Sequence, residues 1–438
     1  MRGVIVFISL LFLFNVSIVA GKNVKISDDT ETCIDCHSQV TPGIVEDWKH
    51  SLHAKTTVNN ALKKDKLSRM ISSKNIPEKL KNVAIGCAEC HTLNPETHKD
   101  TFDHNDFKVH IVVTPRDCAV CHSEEVKQYS KNIMSEANLN LLANPVYHNL
   151  LDTALGFQDY IKGKIVQKKS DKETQADACI YCHGTKVEVK GMKSRDTQLG
   201  EMDFPVLTGW PNQGVGRINP DGSHGACTSC HTRHSFSIEM ARKPATCAEC
   251  HKGPDVPAYK VYQVSKHGNI YYSLGKKWNF THVPWVVGKD FTAPTCATCH
   301  VSLIVSPDGE VIAKRTHQMN DRSAWRIFGL IYAHPHPKEA NTTHIVNRAG
   351  LPLPTELTGE PVTKFLIDKK EMTTRTNRMK AICNSCHSMQ WVNNQFKRFN
   401  HTIETTNKLT LTATKILLDA WKSGTAKGLD KKDSVFNP

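Results

Sequence analysis

Residues 227–251 read CTSCHTRHSFSIEMARKPATCAECH. The stretch carries Cys-x-x-Cys-His twice, as Cys227, Cys230, His231 and as Cys247, Cys250, His251. The pattern recurs upstream at Cys33, Cys36, His37; Cys87, Cys90, His91; Cys118, Cys121, His122; and Cys179, Cys182, His183. Downstream it returns at Cys296, Cys299, His300 and Cys383, Cys386, His387. The eight copies use all 16 cysteines. Two thiols at this spacing can each form a thioether to one vinyl group of the same porphyrin, and the adjacent imidazole then reaches its iron. Random placement of 16 Cys and 23 His in 438 residues gives roughly 0.03 such matches. Zinc half-sites would not need His after every second Cys, and no cysteine is left for a disulfide framework. The chain is therefore expected to hold eight covalently bound c-type haems.

That cofactor load shapes the fold expectation. Aromatic residues make up only 7% of a chain long enough for two or three domains. Large apolar cofactors are expected to replace much of the core, so the apoprotein should not fold. Helical periodicity is clearest where Leu409, Ala413, Ile416, Leu417 and Trp421 share a face. No series of alternating strands stands out. The expectation is a mainly α multihaem cytochrome c fold with few or no strands and a long C-terminal helix. Motifs five and six are close in sequence, so their haems should be neighbours. The Gly-, Pro- and Asn-rich stretch 209–225 reads as a loop, and lysine-rich 61–82 and 162–173 read as solvated helix faces or loops.

Residues 1–20 read as a signal peptide: Arg2, an apolar run from Val4 to Phe14, and a small-residue cut at Ala20-Gly21. The other reading of that run is an uncleaved anchor, for which it is short. Residues 21–438 form the cytochrome domain, with the first three motifs in 21–150 and the other five in 151–438. Export to a periplasm or equivalent lumen follows from the leader and from thioether chemistry. The net charge of +13 would suit an anionic partner, but sixteen haem propionates offset most of it, and no nucleic-acid motif is present.

Of 23 His, 15 lie outside the final position of the motifs. A low-spin electron-transfer haem takes a second axial ligand, commonly His or Met. Six candidates stand out as distal ligands: His53, His104, His148, His234, His267 and His317. His267 precedes Gly268, which would permit close haem approach. A seventh could be His224, His336 or His401.

The sequence resembles the hydroxylamine oxidoreductase family of octahaem cytochromes. The resemblance rests on Cys227-Thr-Ser-Cys-His-Thr-Arg-His234, Ala241-Arg-Lys-Pro244, Val264-Ser-Lys-His-Gly268, the run from Trp285 to His300, and Gln390-Trp391-Val392. It implies trimers or larger assemblies, seven bis-His haems, and an open catalytic haem on Cys179, Cys182 and His183. It also implies a small inorganic nitrogen substrate (nitrite, nitric oxide or hydroxylamine) and a redox partner that is a cytochrome or a quinone-linked carrier. The family's distal Asp-His pair corresponds here to Asp255 and Val256, so Asp255 is a candidate proton shuttle and His282 a candidate for the missing imidazole. Oxidising members also carry a haem-cross-linking Tyr after the C-terminal helix. None follows the eighth motif, so either the sequence is truncated or the cross-link is lacking. The departures favour reduction of nitrite or hydroxylamine over hydroxylamine oxidation. The alternatives are oxidation proper, an electron carrier with all haems bis-His, and a multihaem tetrathionate or sulfite reductase.

Overall fold

The computed structural model describes residues 24–197, 200–253 and 256–426. The leader and Asp255 lie outside them.

The motifs sit on short helical turns, and the geometry of a turn explains why. In a helix, residues three apart share a face, so both thiols of one motif point the same way. Cys87–His91, Cys179–His183 and Cys296–His300 are each one five-residue helix. The first motif lies inside Asp28–Val40, whose N-cap Ser27 accepts the Thr30 N–H and whose first turn holds Asp28, Asp29 and Glu31. Pro42 then starts the next helix, Pro42–His50. The last motif begins in the final turn of Lys369–Asn384, capped by Asp368, and its Cys386 and His387 follow the helix. Ser388 caps the helix that follows, Met389–Lys422, whose 34 residues span about 51 Å. Among the described residues no helix is long and apolar enough to cross a membrane.

The fold is mainly α, as expected, and its few strands are short and sit in small separate sheets. Three hairpins pair Thr101–His104 with Phe107–His110, Phe157–Ile161 with Lys164–Lys168, and Glu188–Thr197 with Gly200–Thr208. A small three-stranded sheet joins Trp285–Val286, Ile304–Val305 and Val311–Ala313, and Trp325–Arg326 pairs with His334–Pro335. Phe157–Ile161, Lys164–Lys168 and most of Glu188–Thr197 are exposed on both faces, so they leave no apolar–polar alternation to read, whereas Gly200–Thr208 turns Phe204 to the cavity. Lysine-rich 162–173 is solvated, as expected, and runs through the turn and second strand of a hairpin.

Side-chain cores are small and scattered. The largest gathers Phe280, Trp285, Val287, Phe291, Ile304, Ala313 and Ile382. Between these clusters runs a cavity of about 2560 Å³, several times the size of an ordinary ligand pocket.

Candidate haem-binding cavity and its axial histidines

Both cysteines and the histidine of each of the first seven motifs line this cavity. None of the sixteen cysteines is in a disulfide. Burial raises Cys87 and Cys230 to about 11 and Cys90 and Cys299 to about 12, unlike the low-pKa thiols of redox catalysts. Zinc finds no cysteine cage: among the described residues the one cluster of three metal-capable side chains is His98, His110 and Asp117.

The motif histidines are held by their inner nitrogens. The Nδ1 of His91 donates to the His110 carbonyl (2.8 Å), that of His183 to Ala137 O (3.0 Å) and that of His300 to Met319 O (3.0 Å). His37 Nδ1 bonds Thr41 Oγ1 at 2.9 Å. A carbonyl acceptor at Nδ1 fixes the tautomer that leaves Nε2 unprotonated for a metal.

The structure sets a second imidazole opposite five of them, four across the cavity and one at its edge. Ring centroids are 6.1 Å apart for His37 and His104, 6.3 Å for His122 and His53, and 6.4 Å for His91 and His234. They are 6.4 Å apart for His231 and His317, and 6.2 Å for His387 and His267. A metal–imidazole bond is about 2.0–2.1 Å, so two rings on opposite sides of one metal have centroids about 6.3 Å apart. The residues present therefore fit a porphyrin iron between each pair. Burial foremost pushes His53, His231, His234 and His317 down to about 4 and His336 to about 3. They are neutral at physiological pH, the form that binds metal.

His336 is half-buried in the cavity wall, close enough to His300 to feel its charge. His224 instead bonds Glu136 at 2.8 Å, and His401 is exposed on the long helix. His148 lies on Pro145–Leu155, its Nε2 3.6 Å from Asp152. Gly268 serves packing: a Cβ there would strike the Tyr262 carbonyl, so the glycine seats one helix on another. Val256 lines the cavity. His282 is tied to Asp290 (2.7 Å), and its neighbour Val283 lines the wall.

Contacts between motifs define a row. Cys118 meets Cys227, Cys247 meets Cys296, and Cys182 meets Cys250. Cys33 lies within electrostatic reach of Cys87, Cys90 of Cys121, Cys230 of Cys247, and Cys299 of Cys383. Motifs one, two, three, five, six, seven and eight thus follow one another, and motif four touches the row at six. Motifs five and six are neighbours, as their spacing implies.

Sequence reasoning missed the arginines. Arg217, Arg233, Arg242, Arg315, Arg322 and Arg326 all line the cavity. Arg217 and Arg233 lie against the Trp210 ring at 5.2 and 4.9 Å, and burial lowers Arg217 to about 10. Buried cations need anions, and porphyrin propionates are anions of the right kind. The arginines show no fixed spacing, so no motif marks them.

A family model described as "seven times multi-haem cytochrome CxxCH" matches residues 219–324, and one for "cytochrome c554 and c-prime" matches residues 32–112. The chain is 24% identical over 394 residues to a probable nitrite reductase-hydroxylamine oxidoreductase fusion protein of Kuenenia stuttgartiensis. That match covers 85% of this chain, which spans only about a third (35%) of the relative's length. Among solved structures, a hypothetical multiheme protein is 43% identical with TM-score 0.86, over 94% of this chain and 85% of the other. The Kuenenia stuttgartiensis reducing HAO-like protein complex, at 19% identity, shares the fold with TM-score 0.54 over 91% of this chain and 63% of that one. Eight attachment motifs, facing imidazole pairs and these relatives lead to one assignment: the chain belongs to the multihaem cytochromes c, and it is similar to hydroxylamine-oxidoreductase-like members of that group.

Proposed function

We propose that this protein is an exported octahaem oxidoreductase that reduces a small inorganic nitrogen compound, nitrite or hydroxylamine, at the site of motif four. The observation that carries the reading is the set of five facing imidazole pairs, nine of whose ten rings line one motif-lined cavity. His37/His104, His91/His234, His122/His53, His231/His317 and His387/His267 would hold five bis-His haems, and His300/His336 a sixth. Bound haems supply one-electron carriers and, at motif four, an iron able to take a nitrogen oxide as ligand.

The chain's own residues do the rest. Carbonyl acceptors hold the proximal rings, and burial keeps the distal rings neutral. The wall arginines balance propionate charge in a low-dielectric interior. The row of motifs gives a route for single electrons, and motif four joins it at motif six. The relative named as a probable nitrite reductase-hydroxylamine oxidoreductase supports the substrate class. Val256 supports the reductive direction: it offers no proton acceptor where oxidising family members place His. Asp255 and His282 remain the proposed proton-handling residues, and a homotrimer with an external electron carrier the proposed assembly.

The test is absorption and EPR spectroscopy of the purified holoprotein with nitrite and hydroxylamine, followed by assays in both directions. The reading expects a high-spin haem that binds both ligands, and nitrite reduction with a strong donor. Fast hydroxylamine oxidation without nitrite reduction would reverse the direction. Eight low-spin haems indifferent to both ligands would make the protein an electron carrier.

A further inference from the structure

Directly behind His91 the fold buries an ion triad that the haem reading does not use. His98, Asp100 and Asp117 have side chains 0%, 0% and 2% exposed. His98 Nδ1 lies 3.4 Å from Asp100 Oδ1, and its Nε2 3.2 Å from Asp117 Oδ2. Each carboxylate is further fixed as an anion. Asp100 Oδ2 accepts the N–H groups of Ile111 and Val112 (3.0 and 2.8 Å). Asp117 accepts Thr114 N–H (2.9 Å), Thr114 Oγ1–H (3.1 Å) and Asn94 Nδ2–H (3.0 Å). Burial opposes a charge on His98, but the bonds and charges of Asp100 and Asp117 outweigh it and raise the ring to about 9. Two anions and one cation leave one net negative charge in the interior.

The triad connects to the haem ligand through one residue. His98 stacks on His110 with centroids 3.6 Å apart and planes 11° from parallel. His110 Nε2 donates to Leu93 O (2.9 Å), and its carbonyl accepts from His91 Nδ1 (2.8 Å). Both carboxylates lie within electrostatic reach of His91.

We propose that Asp100, His98 and Asp117 are positioning residues that lower the reduction potential of the haem on Cys87 and Cys90. They would act by holding a net negative charge and a fixed carbonyl acceptor behind His91. The proposal rests on the reading of His91 as an axial ligand. A buried negative charge favours the oxidised, more positive iron, and an acceptor at Nδ1 strengthens the imidazole as a donor.

The experiment is a spectropotentiometric titration of the holoprotein and its Asp100→Asn and Asp100→Glu variants. The haem is identified as the one whose low-spin EPR signal is lost in His234→Ala. Asp100→Asn should raise the reduction equilibrium constant of that haem about tenfold, or about 59 mV for one electron, and leave the others in place. Asp100→Glu should restore it. Should Asp100→Asn not accumulate, Asp117→Asn is expected to shift the same haem in the same direction. An unchanged titration in a fully haem-loaded variant overturns the proposal. A Cys87–Cys90 peptide without haem in the unmodified protein would overturn the ligand reading and the proposal with it.

Discussion

At the scale of the residue, a facing pair of imidazoles is a strong constraint, and each pair can be broken singly. His317→Ala should convert one haem, the partner of His231, from low to high spin and leave the rest unchanged, read by EPR. His98 makes a different prediction. Its ring titrates at about 9 in the folded chain against an ordinary value of about 6.5. A raised pKa contributes stability that is fully present below about pH 6.5 and lost as pH climbs through about 9. Its size is on the order of 3 kcal/mol, an energy shared with the two aspartates and counted once. Denaturant unfolding of the holoprotein and of His98→Gln should therefore differ most below about pH 6.5 and converge towards about pH 10. The eight Cys-x-x-Cys-His motifs were legible because the chemistry of haem attachment fixes residue type and spacing together. Five of the six distal candidates picked by context lie opposite a motif histidine. His148 has Asp152 as a neighbour instead, and the buried arginines and the His98 triad carry no local signal, because their partners come from distant segments.

At the scale of the element, loops hold the motif turns in place. Gly184 follows His183 with φ +94°, and a Cβ there would strike Arg217 N. Asn212 Oδ1 accepts the N–H groups of Thr185 (3.2 Å) and Gly214 (2.8 Å), pinning loop 209–225 to motif four. Gly184→Ala should thus loosen the motif-four seat and cost at least 1–3 kcal/mol, about the price of a strained backbone residue, with that haem showing the altered spectrum. Glu89 ties the first two motifs together. Its carboxylate accepts from Ser27 Oγ (2.5 Å), Thr30 Oγ1 (2.7 Å) and Gly86 N–H (2.9 Å). Glu89→Ala should cost on the order of 2–4 kcal/mol, seen as an earlier unfolding midpoint. The long C-terminal helix was legible from its apolar period, and the 209–225 loop from its composition. The exposed hairpins were not, because strands that bury neither face have nothing to alternate.

At the scale of the whole molecule, the chain is arranged around what it encloses. Small side-chain cores border a cavity of about 2560 Å³, and an empty space of that size would forfeit most of the contacts that hold a native state. Expression without haem attachment should therefore give an unfolded chain, checked by circular dichroism and protease sensitivity. The claim beneath every other is that all sixteen cysteines are haem thioethers. Peptide mapping by mass spectrometry after alkylation tests it most directly. The account expects eight haem-bearing peptides, one for each motif, and no alkylated cysteine. Alkylated pairs or a disulfide at any motif would contradict it.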